Sequence, residues 1–177
     1  GHRWPAEFDK EMELADEQRE WVDSCDALLS FADADGIVCL PPVRGEKPGH
    51  ERLEELLHAA YGDEWSASVR SKLLASVDCA NRDFDFWLRN KFFEQHCKLF
   101  QHRPFIWQIW DGLPDGFSAL LNYHKLDGKN LDRLIHTYLA DWIRTQKQGK
   151  ADGADGAETR LKAAEGLKTR LEQISRR

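Results

Sequence analysis

Apolar positions along this chain recur in blocks, and most blocks carry helical spacing. Leu53, Leu56, Leu57 and Ala60 fall at i, i+3, i+4 and i+7, which predicts a helix over about 50–61 that Gly62 ends. Asp63 is the expected cap of a second helix, with Trp65, Val69, Leu73 and Leu74 facing inward. A third helix is expected from Asp83 to Gln101, closed ahead of Pro104. The widest stripe is Leu131, Leu134, Ile135, Tyr138, Leu139, Trp142 and Ile143, within a helix of about 130–148. An N-terminal helix is expected between Phe8 and Phe31, with Met12, Trp21, Leu28 and Leu29 among acids.

Two segments break this pattern. Phe105 to Trp110 is bulky and Phe117 to Tyr123 alternates, while Asp111-Gly112-Leu113-Pro114-Asp115-Gly116 between them is turn chemistry. A β-hairpin near 105–123 follows, and it must pack on helices because a lone hairpin is marginal in water. The run Ile37-Val38-Cys39-Leu40 is too short to classify. Gly149 to Gly156 is small and polar and reads as a flexible linker. After it, Leu161, Ala164, Leu167, Leu171 and Ile174 form a narrow seam that wants a partner helix. The expected architecture is therefore mainly α with one β-hairpin (α+β). It comprises a helical domain over 1–148, a linker over 149–156 and an amphipathic helix over 157–177, expected as cut from a longer polypeptide.

Charge adds an asymmetry to this picture. Residues 1–80 carry 8 Lys/Arg against 18 Asp/Glu, and residues 81–177 carry 17 against 13, within a total of −6. A mildly basic second half is compatible with a nucleic-acid surface, and equally with an ordinary solvated helical face. No run of about 18 apolar residues predicts a membrane span. Gly1-His2 has the look of a cleaved tag and is left out of fold reasoning. The four cysteines form no C-x-x-C pair, which suits reduced thiols in a cytoplasmic protein.

Candidate chemistry concentrates between Trp87 and Leu126. His96, Cys97 and His102 lie close in sequence, but neighbours on a helix point about 100° apart, so no metal site is expected. Cys97 lies inside the expected helix and Ser118 in no nucleophile elbow, so no catalytic residue is assigned. Neither G-x-x-x-x-G-K nor G-x-G-x-x-G occurs. What remains is cations interleaved with aromatics. Arg89, Lys91, Lys98, Arg103, Trp107 and Lys125 are the candidate DNA-binding residues, because Lys and Arg neutralise phosphates and aromatics stack on unpaired bases. Core packing of the aromatics is the competing reading. For Arg103, a helix C-terminal carbonyl as partner would favour it.

The phrases Trp87-Leu88-Arg89, Phe92 to Lys98, Arg103 to Trp107 and Asn122 to Leu126, with Tyr138-Leu139-Ala140-Asp141-Trp142, resemble a region of large bacterial adenine-specific DNA methyltransferases. These are of the fused restriction–modification type and its BREX and DISARM phage-defence relatives. The resemblance spans about residues 83–175. It implies a parent enzyme that uses S-adenosylmethionine, with double-stranded DNA and the rest of the methyltransferase or a defence-system subunit as partners. Such an enzyme needs an Asn/Asp-Pro-Pro-Tyr/Phe loop, and Pro41-Pro42 stands in the wrong context between Leu40 and Val43. The segment is thus expected to be a non-catalytic, cofactor-free helical spacer that associates with DNA. The alternative is a protein–protein docking module without DNA contact.

Overall fold

The computed structural model describes residues 33–175. The helix expected between Phe8 and Phe31, and Cys25 with it, lies outside the described residues. The expected hairpin is present and belongs to a three-stranded antiparallel sheet of β1 (Ile37–Cys39), β2 (Ile106–Trp110) and β3 (Ser118–Asn122), ordered β1-β3-β2. The short run that sequence left unclassified is the third strand, with Ile37 opposite Leu121 and Cys39 opposite Ala119. Strand propensity in three residues is a weak signal. Pairing with β3 is what makes them a strand.

The hairpin loop is built around one carboxylate. Asp111 is buried and accepts the backbone N–H groups of Leu113 (3.0 Å) and Phe117 (2.8 Å). Gly116 packs so closely on that carboxylate that a methyl group there would overlap it. Gly112 has φ +97°, which excludes most side chains.

Among the described residues, four helices precede β2. These are α1 (Gly49–Tyr61), α2 (Ala67–Ser76), α3 (Phe84–Asn90) and α4 (Phe92–Leu99). Gly62 ends α1 at φ +53°, as its sequence predicts. The cap of α2 is Ser66, whose Oγ accepts from Val69 N, whereas Asp63 sits in an intervening 3-10 turn. The single helix expected over 83–101 is two helices meeting at Lys91 (φ −125°). No glycine or proline marks this break. The bend brings Trp87 edge-on to Phe92 and lets its Nε1 donate to Gln95, so packing decides it. Beyond α4, Gln101 and His102 take left-handed φ values of 51° and 62° before Pro104.

The broad stripe of the sequence forms one rod of α5 (Gly128–Arg133), a π-helical segment (Leu134–Leu139) and α6 (Ala140–Ala151). α7 (Ala157–Ser175) folds back onto it. The main core joins Ile37, Ala119 and Leu121 of the sheet to Leu134, Ile135 and Leu139 of the rod and Ala164, Leu167 and Leu171 of α7. Two expectations are corrected here. First, the stretch 149–156 is folded: α6 runs through Ala151, and only a tight turn remains, with Gly153 and Gly156 at φ +74° and +70°. Arg160 fastens that turn through Asp155 O, Asp115 and Gln146 Oε1. Second, the seam of α7 finds its partner within the chain. A second cluster around Leu74, Cys79 and Phe84 holds α1, α2 and α3 together.

Candidate nucleic-acid interface

The six candidate residues differ in how far their side chains are already engaged. Arg89 is drawn inward: its guanidinium pairs with Asp85 (2.9 Å) and its Nη1 donates to Gly116 O (3.1 Å), clamping α3 to the hairpin loop. Its side chain is 12% exposed. Lys125 Nζ donates to the carbonyls of Asp33 (3.0 Å) and Ala34 (3.1 Å), and its stem covers Gly36. Lys98 is exposed and pairs with Glu94 one turn earlier at 2.6 Å, an arrangement that lowers the Glu94 carboxyl and raises the Lys98 ammonium through their shared hydrogen bond. Lys91 is half-buried at the α3–α4 junction. Arg103 is exposed in the α4–β2 loop and enters none of the ion pairs among the described residues. Its own backbone N–H donates to Phe100 O, but its side chain has no helix-end carbonyl partner there.

The aromatics are likewise divided. Trp107 and Trp110 are three residues apart on β2 and so belong to opposite faces of the strand. Trp87 is half-buried against Phe84 and Phe92. Trp107 instead remains 43% exposed and Tyr123 56% exposed, with ring centroids 6.4 Å apart and planes inclined by 31°. Phe93 of α4 borders Trp107 at 6.3 Å, and His124 borders Tyr123 at 5.8 Å. The surface is rigidly mounted: Tyr123 N–H donates to Phe105 O at 2.7 Å, and Asn122 Oδ1 caps the following turn by accepting from His124 N.

His96 anchors the start of β2. It is 6% exposed, and its Nε2 accepts the backbone N–H groups of Phe105 (3.2 Å) and Ile106 (3.1 Å). Phe92 stacks on it, and Phe100 and Phe105 enclose it. Burial holds its pKa below the ordinary histidine value. It also covers an otherwise open edge of the sheet, since β2 is an outer strand.

Sequence reasoning left Phe93 and Tyr123 out of the candidate set and weighed His96 only as a metal ligand. Their signal was available for α4, where Phe93, His96 and Phe100 recur at i, i+3 and i+7. For Tyr123 there was none, because the residue reads as strand and lies in a 3-10 turn (Tyr123–Lys125).

On the far side of the sheet a cavity of about 590 Å³ lies between β1, β3, α1 and α4. Val38, Leu53, Leu56, Phe92 and Leu120 give it an apolar wall, with Arg52 and Asn122 among its polar lining residues. Among the described residues no cluster of His, Cys, Asp and Glu is arranged to hold a metal ion. Cys39 and Cys79 are free and buried, and desolvation drives the Cys39 thiol well above its ordinary pKa, so it is held as the unreactive thiol. No helix among the described residues is long and apolar enough to cross a membrane.

No known family's sequence profile matches the chain. Over 94 residues, half of this chain, it is 28% identical to the adenine-specific methyltransferase PglX of Lacticaseibacillus casei. That stretch is 8% of the PglX length, so the chain spans a small part of that protein. The similarity is distant and partial, and it relates this region to a methyltransferase.

Proposed function

We propose that this chain is a non-catalytic, DNA-associating region of an adenine-specific DNA methyltransferase acting in restriction–modification or phage defence. The observation that carries the reading is the exposed surface of Trp107 and Tyr123, with Arg103 exposed in the α4–β2 loop and in none of the ion pairs among the described residues. Arg89 and Lys125 drop out of the contact set, because internal carbonyls and Asp85 already engage them. The contact residues become Arg103, Lys91 and Trp107, while Lys98 is held by Glu94. S-adenosylmethionine and the adenine-holding loop belong to other parts of the parent. The pair Pro41-Pro42 fits this, since Pro41 is buried beside Leu40 and Val43 in a structural loop.

Phosphate contacts release counterions, so affinity that rests on them falls steeply as salt rises. Fluorescence anisotropy with labelled duplex DNA at 50 and 200 mM salt tests the reading. Measurable binding at the lower salt, reduced at the higher and weakened by Arg103→Ala, is expected. Absence of binding at low salt refutes DNA association. That result would leave a docking module, a reading favoured by Leu99, which is 75% exposed at the end of α4.

A further inference from the structure

We infer that Trp107 and Tyr123 form a stacking platform for unpaired nucleotides, with Arg103 meeting a neighbouring phosphate. This rests on the DNA association proposed above and names the form of DNA that is bound. Cations free to meet a backbone are scarce among the candidates. Of the five basic candidates, Arg89 and Lys125 are engaged internally and Lys98 is paired with Glu94. Two positive charges on a chain of net charge −6 are a thin basis for gripping a duplex by its backbone.

The surface has aromatic area in place of charge. A duplex hides the faces of its bases, whereas a splayed or single strand offers them to aromatic rings, each stack adding binding without reading sequence. Trp107 and Tyr123 sit side by side, exposed and fixed in place by β2 and by the Tyr123–Phe105 backbone bond. Arg103 lies two residues before Phe105, on the same loop. The imidazoles of His102 and His124, both exposed, are the remaining polar groups nearby in sequence.

Anisotropy on the full chain, with one labelled oligonucleotide as a single strand, as a duplex and as a duplex with an internal unpaired loop, tests this. The single strand and the looped duplex are expected to bind about tenfold tighter than the duplex, with Trp107→Ala and Tyr123→Ala each weakening the single strand about 5- to 100-fold. Trp107→Phe retains most of the binding and guards against a misfolded alanine variant. Equal affinity for all three forms with Trp107→Ala neutral overturns this inference and leaves duplex association standing. Failure to bind any form overturns both. If the same substitutions then abolish self-association seen by light scattering, the rings serve protein docking.

Discussion

His96 offers a way to perturb the junction between the helices and the sheet with one proton. Its Nε2 accepts from Phe105 and Ile106, so the ring is neutral and its proton sits on Nδ1. An imidazolium has no acceptor, and protonation removes both bonds while placing a charge among Phe92, Phe100 and Phe105. Two hydrogen bonds at about 1 kcal/mol each put the loss near 2 kcal/mol. The folded pKa lies below the unfolded value of 6.5, so the unfolded chain takes up the proton first. The stabilisation is therefore complete above pH 6.5 and declines as pH falls from there toward the folded pKa. His96→Phe keeps the aromatic packing and deletes the acceptor. At pH 8 it should lower the melting temperature by about 4–8 °C, given about 2–4 °C per kcal/mol for a chain of this size. Thermal unfolding of both proteins from pH 8 to 5 is the assay, and the gap between them should narrow toward pH 5. A constant gap across that range would refute the assignment of His96 as the acceptor.

Further outcomes follow from other contacts. Arg89→Ala should cost about 2 kcal/mol of stability, because it leaves Asp85 and Gly116 O without their partner, whereas Arg103→Ala should stay within about 0.5 kcal/mol in the same denaturant titration. Gly116→Ala should destabilise by about 1–3 kcal/mol through overlap with the Asp111 carboxylate, seen as faster amide exchange at Leu113 and Phe117. Leu167→Ala removes a buried contact between α7 and the rod and should cost about 2–5 kcal/mol, where a detached helix would show no change in the main transition. The Asp141 carboxyl, held below its ordinary 3.8 first by the N–H of Arg44 at 2.6 Å and then by Arg144, supports stability above that pH and loses it as pH falls through the lowered value, so Asp141→Asn should flatten the acid limb of the unfolding profile.

Much of the helical content was legible because it repeats locally. Leu134, Ile135, Tyr138 and Leu139 are buried as their spacing predicts, and the hairpin sits between the turn residues that announce it. The candidate interface was legible only as a composition. Cations and aromatics between Trp87 and Leu126 could be named, but not sorted. Arg89 and Arg103 look alike in sequence. They differ because Gly116 O, 27 residues away, accepts from Arg89, while no described residue reaches Arg103 in the same way.

By itself the sequence determined the helix-rich class, the hairpin and the absence of phosphate-loop and methyl-transfer motifs, since each depends on residues within one or two turns of one another. Tertiary structure alone decided the third strand, the break at Lys91 and the fate of α7. Ile37–Cys39 becomes a strand only through β3, some 80 residues on, and the seam of α7 is satisfied by a rod that sequence spacing could not identify as its partner. The same holds for the aromatic surface. Which rings enter the core and which face solvent is set by long-range packing, and local pattern carries no record of it.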